Sequence, residues 1–89
     1  RAGYLFRVLT RQGPATPGGA RDFLVNGNMI LGCALLAFPK EYGVDGKKVF
    51  LISTAGKVFE RDFGSKEAVQ KFLKACIEFN PDENWKAAP

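Results

Sequence analysis

The chain contains no histidine, one tryptophan, one methionine and two cysteines among its 89 residues. Without an imidazole it lacks the commonest proton shuttle and metal ligand at neutral pH. Neither cysteine can be activated by a histidine of this chain, which excludes Cys–His nucleophilic catalysis within it. Cys33 and Cys76 lie too far apart for a zinc knuckle or a C-x-x-C redox pair. Two readings of the pair stand: a pair of buried thiols acting as small hydrophobes, or one structural disulfide, Cys33 to Cys76, pinning helix to sheet in an exported protein. No apolar run is long enough to cross a bilayer as a helix. An excess of one charge is also missing. The net charge is +4, with acidic residues interspersed among basic ones, which reads as ordinary surface solubility.

What is present is apolar. Hydrophobic residues make up 46% of the chain and eight are Phe, so the chain folds rather than remaining disordered. At this length one small domain is expected, burying roughly 60–70% of its extended-chain surface around a single core.

Tyr4 to Thr10 is rich in β-branched and aromatic residues and predicts a first strand. Arg7 within it suits an edge strand or a wet face. Gln12 to Ala20 holds two Pro and three Gly and predicts a long exposed loop. Asp22 to Val25 predicts a short strand. Asn26-Gly27 then favours the positive φ angles of a type I′ hairpin turn. Met29 to Phe38 predicts a ten-residue return strand, with Gly32 inside it and Pro39 after it. Lys40 to Gly46 is a loop, and Lys48 to Ser53 the next strand. Thr54-Ala55-Gly56 predicts a hairpin loop with Gly56 left-handed. Lys57 to Phe63 returns, with Phe59 and Phe63 on one face and Val58, Glu60 and Asp62 on the other.

Ser65 predicts a helix N-cap, with Glu67 in the first turn where the helix dipole favours an anion. Val69, Phe72, Leu73 and Cys76 recur at helical spacing, with Ile77 at the edge of the stripe. Asn80-Pro81 stops the helix, and Trp85 is expected to fold back onto the domain. The expected fold is therefore α+β: an antiparallel β-meander of four to five strands, with one C-terminal helix packed on one face, in a single domain spanning 1–89.

Candidate chemistry is sparse. Glu60 and Asp62 share a strand face and read as solvated acids. Gly13, Gly18 and Gly19 lack the Gly-Lys-Ser/Thr ending of a phosphate loop. Asp45-Gly46 and Asp82-Glu83 lack the alternating oxygen ligands of a calcium loop. Basic residues interleave with strand aromatics, but no RNP-like signature accompanies them, which argues against nucleic acid as the partner. The sequence offers no catalytic, cofactor-binding or metal-binding residues, and no cofactor is expected.

The apolar surplus is more informative. In the expected strand Met29–Phe38, Met29, Leu31, Cys33, Leu35 and Ala37 form one apolar face and Ile30, Gly32, Ala34, Leu36 and Phe38 the other. Val49, Phe50, Leu51 and Ile52 repeat the pattern. Strands apolar on both sides expect cover on both sides, and one helix covers one. Ile30, Ala34, Leu36, Phe38, Phe50 and Ile52 are the candidate interface for a protein partner, for self-association or for a segment preceding Arg1. The alternative cover is the Arg11–Arg21 loop and the tail carrying Trp85.

The run GYLFRVLTRQGPATPGGARDFLVNGNMILGCALLAFPKEYG, with GKVFERDFG and FNPDENWK, resembles the C-terminal part of an uncharacterised family of exported bacterial proteins. The resemblance covers nearly the whole chain. It implies a periplasmic, cell-surface or extracellular location, and a C-terminal fragment or subunit of a larger exported protein. More distantly, GYLF, the Pro-x-x-Tyr-Gly loop and the FLISTAGKVF hairpin are similar to the globular sheet of type IV pilins and pseudopilins, in which a long N-terminal helix lies on one sheet face. This chain carries no such helix. The function expected is a non-enzymatic structural or assembly role, through packing against another chain or such a helix. The alternative is a binding module for a small molecule or polymer, rimmed by the Arg11–Arg21 and Lys40–Gly46 loops. An enzyme would need catalytic residues from outside this chain.

Overall fold

A computed structural model describes residues 3–16, 18–29, 32–53, 55–75 and 78–88. The fold is α+β. Its strands are β1 (Tyr4–Leu9), β2 (Arg11–Gln12), β3 (Arg21–Asp22), β4 (Leu24–Val25), β5 (Asn28–Met29), β6 (Ala34–Pro39), β7 (Lys48–Ser53), β8 (Val58–Asp62) and β9 (Lys86–Ala87). One helix, α1 (Lys66–Ala75), lies between β8 and β9. The main sheet has the order β1-β6-β7-β8-β9 and is antiparallel throughout. The last three strands of the expected meander are there as β6, β7 and β8, but its first, over Asp22–Val25, lies in the separate two-stranded sheets β2-β3 and β4-β5, and β1 takes the place beside β6; Arg7 does sit on an edge strand.

Local signals behave as their chemistry dictates. Asn26 and Gly27 have φ of 51° and 81°, and β4 pairs with β5 across them, as a type I′ hairpin requires. Gly56 is left-handed, and its amide donates to the Ser53 carbonyl at 3.0 Å. Ser65 Oγ accepts the Ala68 amide at 3.1 Å and caps α1. The Arg7 guanidinium donates to the Leu73 carbonyl at 2.7 Å, so a cation from the edge strand meets the carbonyl-rich end of the helix dipole.

The ten-residue strand expected from Met29 to Phe38 does not form. Asn28–Met29 closes the small hairpin onto β4, and only Ala34–Pro39 joins the main sheet. Gly32 explains part of the break. Its φ is 141°, and a Cβ there would lie 3.3 Å from the Phe23 ring. The chain needs glycine to turn past a buried aromatic. Phe23 is 4% exposed and separates β3 from β4, so the short strand expected over Asp22–Val25 is also split.

The core lies between the sheet and α1. Cross-strand partners share a face, and the register sets Leu36 opposite Leu51 and Leu51 opposite Phe59. Leu36, Leu51, Val69 and Leu73 belong to one buried cluster, with Phe59 packed against it. The segment after α1 closes the same side. Phe79 bridges to Gln12 in parallel sense, and its amide donates to the Arg11 carbonyl at 2.8 Å. Trp85 is buried, with its ring centroid 5.9 Å from that of Phe63 and 5.8 Å from that of Phe72. The tail folds back as expected, on the helix side of the sheet.

Candidate functional site

The second face of the sheet follows from the same register. Phe6, Ala37 and Phe50 are successive partners across β1, β6 and β7, and Val8, Leu35 and Ile52 form the next row. Val58 continues that row on β8. Phe6 is 63% exposed and Val8 55%. Leu35, Phe50, Ile52 and Val58 are half-buried, although each lies on the side away from α1. Tyr4 leans on Phe50 with ring centroids 6.0 Å apart. Polar groups flank the patch at one end, where Lys48 Nζ meets Glu60 Oε2 at 2.6 Å.

The candidate interface read from the sequence is divided by this register. Ala34 and Leu36 are 1% and 0% exposed and belong to the core under the helix, with Phe38 packed against them. Phe50 and Ile52 lie on the opposite, open face. Ile30 lies outside the described residues, as do Cys76 and Ile77, so the Cys33–Cys76 pairing falls there too. The grouping of Ala34, Leu36 and Phe38 on one face is correct. The matching across strands is not, because their partners on β7 are Ser53 and Leu51 rather than Phe50 and Ile52. Alternation gives two faces per strand, but the non-local register decides which faces coincide. Phe6, Val8 and Leu35 complete the open face. The signal that could have found them is the alternation of Tyr4, Phe6 and Val8 against Leu5, Arg7 and Leu9.

Two polar features stand at opposite ends of the sheet. At the β6–β7 end, the Tyr42 hydroxyl donates to Asp62 Oδ1 at 2.6 Å, and the Gly64 amide donates to the same oxygen at 2.9 Å. The Tyr42 bond, followed by the Gly64 amide, holds the Asp62 carboxyl below its ordinary range. The same Tyr42–Asp62 bond, then loss of solvation, raises the phenol above its ordinary value. Both signs follow from a bond that favours the carboxylate and the neutral phenol. The Asp62 contribution to stability is therefore present above the unfolded carboxyl pKa and lost as pH falls through the depressed folded value. The Tyr42 contribution is present below the unfolded phenol pKa, about 10, and lost as pH rises through the raised folded value. The Tm difference between wild type and Tyr42→Phe is expected to be constant around neutrality and to shrink at both extremes. A difference that does not vary with pH would sink this assignment.

At the β7–β8 turn end lies a cavity of about 470 Å3. Gln12 at the end of β2, Thr16 in the loop that follows and Arg21 at the start of β3 line it, with Ser53 at the end of β7 and Lys57 just before β8. Phe23, Phe59 and Phe79 form its apolar walls. Residues of the Arg11–Arg21 stretch line this cavity, whereas Lys40–Gly46 lies at the other end of the sheet with Tyr42, so the two loops do not rim one site together. Among the described residues, no group of three or more acids and cysteines is placed to hold a metal ion. Among the same residues, no helix is long and apolar enough to cross a membrane.

These features define a class: a small α+β domain whose antiparallel five-stranded sheet is closed by a helix on one face and presents apolar side chains on the other. The chain belongs to a family of proteins of unknown function, DUF2950, whose family model matches residues 2–88. The resemblance to an uncharacterised family read from the sequence agrees with this membership. No match is found among curated proteins or among solved structures.

Proposed function

We propose that this chain is a non-enzymatic assembly domain of an exported protein, and that the open face of its sheet packs against an apolar polypeptide layer. That layer is an apolar segment of another chain or of its own precursor, laid on the sheet as the helix is in pilin-like proteins. The observation that carries the reading is the exposure of Phe6 and Val8, at 63% and 55%, beside Leu35, Phe50 and Ile52. A contiguous apolar sheet surface is uncommon on a soluble monomer without a binding role. The Lys48–Glu60 pair at its edge supplies the polar border typical of protein interfaces.

The test uses the 89-residue chain and its double variant Phe6→Ser, Val8→Ser. Wild type is expected to self-associate in sedimentation or to bind a hydrophobic dye. The double variant is expected to lose that behaviour. Its unfolding free energy is expected to stay within about 0.5 kcal/mol per substitution, as for other exposed positions. A wild-type monomer that binds no dye would overturn the proposal, and so would a double variant that associates or binds dye as wild type does.

A further inference from the structure

We propose that the cavity beside the β7–β8 turn is a binding site for a small organic anion: a carboxylate carried on an aromatic or branched apolar body. This inference does not rest on the open sheet face, which is formed by other residues.

The volume, about 470 Å3, falls within the roughly 300–1,000 Å3 of typical small-molecule sites. Its inner wall is apolar: Phe59 is half-buried and is backed by the buried Phe79, which it meets edge-to-face with ring centroids 6.0 Å apart, and Phe23, also buried, lies in the same wall. Such a wall accepts a flat apolar body in offset or edge contact.

Among the described residues, Arg21 and Lys57 line the cavity and no carboxylate does. The neighbouring hollow below α1 differs, since Glu78 and Asp82 line it together with Arg61. Two cations on a wall otherwise built of rings and short polar side chains favour an anionic group at the entrance, where charge-assisted hydrogen bonds form.

The short polar groups are held in place by backbone. The Thr16 hydroxyl donates to the Phe79 carbonyl at 3.1 Å, and Gln12 Nε2 donates to the Gly19 carbonyl at 2.7 Å. Ser53 Oγ accepts the Lys57 amide at 3.2 Å, which leaves its own O–H proton to donate. The loop from β2 to β3 is further tied down where the Asn80 side chain accepts the Ala15 amide at 2.9 Å. Gln12, Ala15, Thr16, Ser53 and Lys57 are thus anchored, a preorganisation that lowers the entropic cost of binding.

Nuclear magnetic resonance titration of the labelled 89-residue chain with 1-naphthylacetate, against the neutral 1-naphthylacetamide, tests this. The acid is expected to shift the amide signals of Thr16, Gly32, Ser53 and Lys57, and to leave Phe6 and Val8 unmoved. It is expected to bind about tenfold more tightly than the amide. Lys57→Gln and Arg21→Gln are each expected to weaken the acid about fivefold, without weakening the amide. Equal binding of acid and amide overturns the proposal. So do shifts confined to Phe6 and Val8, or no shifts at all. Because the ligand pair is compared on wild type, the result stands even if a variant folds poorly. A positive result here with no self-association or dye binding would separate this site from the sheet-face proposal.

Discussion

Replacing Leu36 by alanine is expected to lower the unfolding free energy by about 3 kcal/mol. Leu36 is fully buried and sits at the centre of the sheet, paired with Arg7 on one side and Leu51 on the other. Its side chain belongs to the cluster that holds α1 through Val69 and Leu73. Truncation removes the transfer energy of the lost carbons and leaves a cavity that the neighbouring strands cannot close, because cores relax only partly. For a domain of this size, a loss of about 3 kcal/mol corresponds to a fall in Tm of about 12–24 °C. Urea denaturation and calorimetry would measure it. The comparison that makes the result specific is Leu35→Ala, one residue earlier on the open face, where a smaller loss is expected because Leu35 is only half-buried. If Leu35→Ala cost as much as Leu36→Ala, the assignment of the two faces would be wrong.

The second large effect is expected at Trp85. Changing it to alanine should cost about 3 kcal/mol or more. The ring packs against both Phe63 and Phe72, which meet each other at 4.6 Å between centroids, and the Arg61 guanidinium lies 4.1 Å from the Phe63 ring centroid and 5.9 Å from that of Trp85. Loss of the indole removes aromatic contacts and a cation–π contact together. It also releases the last strand. β9 is only two residues long and pairs with Phe59 and Glu60, and the Ala88 amide donates to the Val58 carbonyl at 2.8 Å. So short a strand gains little from its own ladder and depends on the anchor preceding it. Circular dichroism would follow the unfolding, since the variant lacks the chain's one tryptophan. Amide exchange at Ala88 should accelerate more than exchange at Leu51. Trp85→Phe should restore most of the loss. Equal acceleration at both amides would mean that Trp85 stabilises the whole domain rather than anchoring its tail.

Much of the fold was legible because it is encoded locally. Lys48 to Ser53 forms its strand at the residues expected, since a β-branched run between loop residues has few alternatives. Asn26-Gly27 and Gly56 form their turns because those residues adopt positive φ at low cost. Ser65 caps the helix through its own hydroxyl. The α+β class follows from these elements placed in order. Less of the candidate sites was legible. The stretch Met29–Phe38 looked continuous because each of its residues is compatible with a strand. Its break depends on Gly32 meeting Phe23, nine residues earlier, across the intervening hairpin, and residue alternation along the chain does not encode that contact.

The apolar surplus of the strands was itself a property of the sequence, and it is what directs attention to the sheet faces. Which side chains make up the open face was decided by tertiary structure. Alternation divides each strand into two sets, and only the register of β1 on β6 and of β6 on β7 joins Phe6, Ala37 and Phe50 into one surface. The cavity has the same origin. Arg21, Cys33, Lys57 and Phe79 come together only once β3, the residues leading into β6, the β7–β8 turn and the segment after α1 are folded. Composition and local propensity determined the elements of this protein. Long-range pairing, whose geometry no short segment specifies, determined the surfaces those elements present.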